Sequence, residues 1–136
     1  MSVQYKELRG DLPYAFFIAG NAAGTDLVWP LFVAPWPLLI RSVVWVPGAA
    51  VTASGTLAVT LSVRNRGPSN AGTAVPASRS YAATNSVANT PETLTLSSTA
   101  TDLQFAAGDV LTAETTHLST GMVLPAGSLV VTFRGR

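Results

Sequence analysis

The chain has 136 residues, with eight Lys or Arg, seven Asp or Glu, no Cys and 48% hydrophobic residues. Its charged fraction of 11% is under half the roughly one quarter usual for soluble domains, and mean hydropathy is +0.36, so its apolar excess is expected to be covered by other subunits rather than by water. The composition excludes disulfides and thiol nucleophiles, and a net charge of +1 without a basic run argues against electrostatic capture of nucleic acid.

The length fits one domain. Residues 1–9 mix both charge signs and lack the apolar stretch of a secretory signal, which points to synthesis and first folding in a cytoplasm. The first forty residues are rich in Pro and aromatics (Tyr5, Pro13, Tyr14, Phe16, Phe17, Trp29, Phe32, Trp36) without clean alternation. They read as an extended arm, residues 1–39, with one strand near 16–19. The apolar run 28–40 contains Pro30, Pro35 and Pro37 and is too short to span a bilayer. Proline cannot donate to a central ladder, so residues 28–37 are expected at a sheet edge or as a strap over a neighbour.

From residue 40 the chain alternates β-branched runs with Gly, Pro and Asn clusters, the pattern of an all-β fold: a single β-sandwich, jelly-roll-like, or barrel domain over 40–136. Strands are predicted at 40–46, 57–64, 79–83, 93–97, 110–116 and 129–134. The clearest is 57–64, where Leu57, Val59, Leu61 and Val63 alternate with Ala58, Thr60, Ser62 and Arg64. Turn signals at Pro47-Gly48, Ser54-Gly55, Gly67-Pro68, Gly108-Asp109 and Pro125-Ala126-Gly127 separate the runs.

Few residues suggest chemistry. His117 is the sole imidazole, no Ser sits in a G-x-S-x-G elbow, and Asp102 or Asp109 would have to orient the ring in any triad. His117 therefore reads as a solvated or locally hydrogen-bonded loop residue, with ion binding at a threefold axis as the other option. Asp11, Asp26, Glu92, Asp102, Asp109 and Glu114 are dispersed and match no calcium loop or zinc helix; Glu114 is expected on a wet face or against an Arg. A small hydrolase would need Glu92, Asp102, Asp109, Glu114 or His117 to converge in one pocket. Arg64 and Arg66 end the best strand, where their forks suit either ordinary surface pairs or carboxylates on a partner. Arg9-Gly10-Asp11 is a chance-level tripeptide. Trp45 belongs to a strand core or face. Trp29, Phe32 and Trp36 are the candidate intersubunit anchors, the alternative being that the two Trp cover the end of their own sandwich.

The segments Val44-Trp45-Val46-Pro47-Gly48-Ala49-Ala50-Val51-Thr52, Leu61-Ser62-Val63-Arg64-Asn65-Arg66-Gly67, Gly72-Thr73-Ala74-Val75, Leu94-Thr95-Leu96-Ser97, Ala106-Ala107-Gly108-Asp109-Val110-Leu111, Gly121 and Leu124-Pro125-Ala126-Gly127 resemble small capsid decoration, or cement, proteins of tailed bacteriophages. The resemblance covers roughly residue 40 to the C-terminus and rests on strands and turns. It implies a structural virion protein on the capsid exterior, bound to the major capsid protein and to itself as a homotrimer. It implies no enzyme activity, cofactor, nucleic-acid contact or membrane contact. The competing reading is a receptor- or carbohydrate-binding β-sandwich of a phage fibre, with Trp29 or Trp36 lining a groove.

Overall fold

The computed structural model describes residues 10–136. Ten strands form two antiparallel sheets: β1 Leu12–Ile18, β2 Val28–Val33, β3 Leu38–Pro47, β4 Val59–Asn65, β5 Ala74–Ser80, β6 Glu92–Thr93, β7 Thr95–Leu96, β8 Gln104–Phe105, β9 Val110–His117 and β10 Gly127–Gly135, with a 3-10 turn at Ala100–Leu103. Sheet one runs β1-β10-β3-β6, with β8 also on β3; sheet two runs β2-β9-β4-β5-β7. The pairs β1·β10, β2·β9, β3·β6 and β4·β5 are nested one inside the other along the chain. That is a long hairpin rolled into a two-sheet sandwich, the jelly roll. Among the described residues no helix is long and apolar enough to cross a membrane.

Alternation explains why these segments pack. Val59, Leu61 and Val63 of β4, Leu111 and Ala113 of β9, and Leu129, Val131 and Phe133 of β10 are buried between the sheets, while their neighbours face outward. In β3 the inward set changes phase, from Leu38 and Ile40 to Val43 and Trp45. A register shift opposite Thr132 and Phe133 leaves Arg41 without a ladder partner on β10 and exposed. The bulge lets both halves of the strand present their apolar side chains to the core.

The boundary expected at 39/40 falls inside β3, and the described part of the expected arm belongs to the sandwich; residues 1–9 lie outside the described residues. Leu12, Tyr14, Phe16 and Ile18 point inward between exposed Pro13, Ala15 and Phe17. Tyr14, Phe32 and Phe133 form a ring cluster, with centroids 5.0 Å (Tyr14–Phe32), 5.1 Å (Phe32–Phe133) and 5.9 Å (Tyr14–Phe133) apart. Ring burial thus ties β1 and β2 to β10. The expected edge position of 28–37 is where β2 lies, with Pro30 opposite Thr112 and a bulge beyond it.

Three predicted strands shift. The 57–64 strand starts at Val59, since residues 55–57 form a turn, and 79–83 gives way to Ala74–Ser80. The 93–97 strand is two short pieces in different sheets: β6 pairs β3 and β7 pairs β5. Between them Leu94 is buried and its N–H donates to the Val43 carbonyl, so the chain crosses from one sheet to the other and closes that side of the sandwich. On the opposite side β1 and β2 are both edge strands. Segments 19–27, 48–58, 81–91 and 118–126 connect strands at one end of the molecule.

Candidate functional site

Three clusters of polar side chains among the described residues hold Glu92, Glu114 and His117, three of the residues considered for chemistry. At the closed side, Tyr81 is fully buried and its hydroxyl is a hub. It receives the Trp45 indole N–H at 3.2 Å and the Ser86 hydroxyl at 2.9 Å, and donates to Glu92 Oε2 at 3.1 Å. Burial, the first cause, pushes the Tyr81 phenol upward, reinforced by the Glu92 charge against the opposing bonds from Ser86 and Trp45. Arg79 lies over the Tyr81 ring, 4.2 Å from its centroid, and reaches Glu92 at 3.4 Å and the carbonyls of Ser80, Thr84 and Asn85. These bonds staple segment 81–91 to β5. Ser78, Arg79, Ser80, Thr84, Glu92 and Thr95 line an open depression of about 660 Å³, whose two charged groups already face each other.

The second cluster lies on the outer face of sheet two. Arg66 grips Glu114 with two bonds, Nε–Oε2 at 2.8 Å and a terminal nitrogen to Oε1 at 2.6 Å, while Arg64 Nε stands 3.6 Å from Oε2 and the Thr112 hydroxyl donates at 2.8 Å. Glu114 is 9% exposed against 23% for Arg66. Burial pushes the Glu114 carboxyl up, but the bonds from Arg66 and Thr112 and the charges of both Arg residues outweigh it and hold it below the ordinary carboxylate value. The forks of Arg64 and Arg66, considered for a partner's carboxylate, meet one on their own chain. This is the second of the two expectations for Glu114.

The third cluster joins the ends of two loops. His117 Nδ1 and the His117 backbone N–H both lie 2.8 Å from Asp26 Oδ1, and Nε2 lies 2.8 Å from the Met122 carbonyl oxygen. His117 is thus locally hydrogen-bonded, as expected, but its ring is buried rather than solvated. Asp102 accepts from the Ser97 hydroxyl and Asp109 from the Asn65 amide. The residues that a hydrolase would bring together are therefore distributed over separate places, and both nitrogens of the imidazole face oxygens other than a serine hydroxyl.

Trp29, Phe32 and Trp36, expected as anchors for a neighbour, are partly buried and pack against the core of their own chain; Trp45 lies within that core. The side chains that stay exposed are others. Leu27, Leu57, Val87, Leu118 and Val123 sit in the four connecting segments at one end, and Phe17, Val28 and Val33 on the two edge strands. Phe17 is 74% exposed. Sequence reasoning does not single these residues out as a surface: Leu57 counts in the apolar face of the 57–64 strand, Phe17, Leu27, Val28 and Val33 fall within the arm, and the others lie between predicted strands. Only folding gathers them.

No family model matches the chain and no curated protein matches it. A solved structure, titled as that of the infectious bursal disease virus Gx strain, is similar over 90% of this chain and 32% of that chain, at 15% identity and a TM-score of 0.33. The chain thus spans about a third of the length of that chain.

Proposed function

We propose that this protein is a structural component of a virus particle, a jelly-roll subunit that binds the outside of a tailed-phage head and reinforces it. The observation that carries this reading is where the exposed apolar side chains lie. Leu27, Leu57, Val87, Leu118 and Val123 lie at one end and Phe17, Val28 and Val33 on one side, whereas Glu114 and Glu92 are paired with Arg66 and Arg79 within the chain. Exposed apolar groups at one end and along one side, in a chain with few charges, favour contact with protein over contact with water. Jelly rolls also serve as lectins and in enzymes, so the fold by itself does not choose.

The homotrimer, the major capsid protein as partner and the capsid exterior as location rest on the resemblance read from residues 40–136. In this role the chain needs no cofactor and catalyses nothing. Each copy adds a modest contact, and many copies joined in trimers raise the free energy needed to separate capsomers by multivalency. A cryo-EM map of the host particle tests the reading. Density for this sandwich on the outer shell, with its four-loop end or its β1 and β2 edges against neighbours, is the expected result; a shell without it ends the proposal.

A further inference from the structure

We propose that His117 is an imidazolium clamp across segments 19–27 and 118–126, and that loss of its proton releases them from each other. The argument starts from hydrogen-bond inventory. Neutral imidazole has one N–H donor and one lone-pair acceptor, whereas the cation has two donors. Here both ring nitrogens lie 2.8 Å from oxygens that only accept: Asp26 Oδ1 and the carbonyl of Met122. In either neutral tautomer one nitrogen lone pair would press on an oxygen lone pair at hydrogen-bond distance. The doubly protonated ring satisfies both contacts.

The surroundings fit a clamp. The ring is 2% exposed, so water cannot replace a lost partner, while Asp26 on the loop is 58% exposed and stays hydrated. Gly121 has φ +64°, and a Cβ there would overlap the His117 ring, so the second loop is built to close over it. The His117 bonds, foremost the ring contact, hold the Asp26 carboxyl below its ordinary value, consistent with an ion pair.

Asp26 is the ionisable side chain that the described contacts place on this ring. Segments 48–58 and 118–126 carry no ionisable side chain, the residues that line a depression together with His117 (Ala58, Thr60, Ser80, Ala82, Thr116 and Leu118) carry none, and Glu114 of the same strand is engaged by Arg66. Release is local. Asn21 bonds the Thr25 carbonyl and Thr115 hydroxyl and exchanges bonds with Leu124, and none of these groups titrates near neutrality. The loop bases therefore stay joined and the His117 backbone N–H keeps hold of Asp26, while residues 119–123 lose their tie to the ring and part from 22–26, carrying exposed Val123 with them.

The chain has one His, so its ring signals in an NMR titration need no assignment. Hydrogen exchange is followed alongside, from about pH 5.5 to about pH 8.5, the interval in which His is the side chain that ordinarily titrates. The expected result is a two-donor ring at the acid end and, as it deprotonates, a fall of about tenfold in amide protection confined to 22–26 and 119–123, the factor that losing one charge-assisted hydrogen bond carries. Asp26→Asn keeps the acceptor oxygen but removes the charge, and should move the whole transition to lower pH. His117→Gln should make protection in these loops independent of pH. A neutral ring at the acid end with closed loops, unchanged protection while the ring titrates, or a transition that persists in His117→Gln would each overturn the proposal.

Discussion

The two sides of the sandwich solve the edge problem differently. On one side, residues 92–96 step from sheet one to sheet two, bury Leu94 at the crossing and leave β6 and β7 as two-residue strands. On the other, β1 and β2 end their sheets as strands of seven and six residues, each carrying a proline, Pro13 or Pro30, and exposed apolar side chains. Prolines and bulges discourage indiscriminate strand pairing, so what the open side presents is mainly its side chains. Closure by the chain itself stabilises the monomer, and openness leaves Phe17, Val28 and Val33 exposed, the surface that the proposed assembly would use.

The comparison breaks most sharply with a charge on each side. Leu94→Asp places a carboxylate in the closed crossing, and a loss above about 4 kcal/mol is expected in urea unfolding. Phe17→Asp on the open edge should change stability by less than about 0.5 kcal/mol yet prevent self-association in sedimentation; association that survives it would remove Phe17 from the assembly surface. The ion pairs repeat the contrast. Arg79→Ala strips Glu92, Thr84, Asn85 and the Tyr81 ring of their partner, for an expected loss of about 2–3 kcal/mol. Arg134→Ala breaks the pair with Asp11, whose side chains are both 44% exposed, and should cost less than about 0.5 kcal/mol.

Acid sharpens the picture beside β2, where Val28 is paired with Glu114. The folded Glu114 carboxyl is held below its unfolded value. Its contribution is therefore full above the unfolded value and lost as pH falls through the folded one. Stability of the wild type should decline over that acid range, and Glu114→Gln, less stable at neutral pH, should show a shallower decline in the same urea series.

The body of the fold was legible where period-two alternation was clean. β4, β9 and β10 announce themselves through Val59, Leu61 and Val63, Leu111 and Ala113, and Leu129, Val131 and Phe133. The front of the chain was harder to read because prolines and aromatics obscured an alternation that β1 in fact keeps, with Tyr14 and Phe16 inward and Phe17 outward. Residues 93–97 look like one strand because nothing local marks the change of sheet at Leu94. The clusters were least legible. Asp26 and His117 are 91 positions apart and Arg66 and Glu114 are 48, and only the rolled ladder brings them together. For Glu114 the expectation of an Arg partner was right, although the sequence could not say which.

One consequence of the nested pairing concerns synthesis. β10 is the middle strand between β1 and β3, so sheet one cannot be zipped until residues 127–135 have left the ribosome. Contacts between segments this far apart in the chain form slowly, and until then β1 and β3 lack the strand that joins them. Strands β1 and β3 therefore wait for the segment between them in space, which is the last described strand of the sheet to be made.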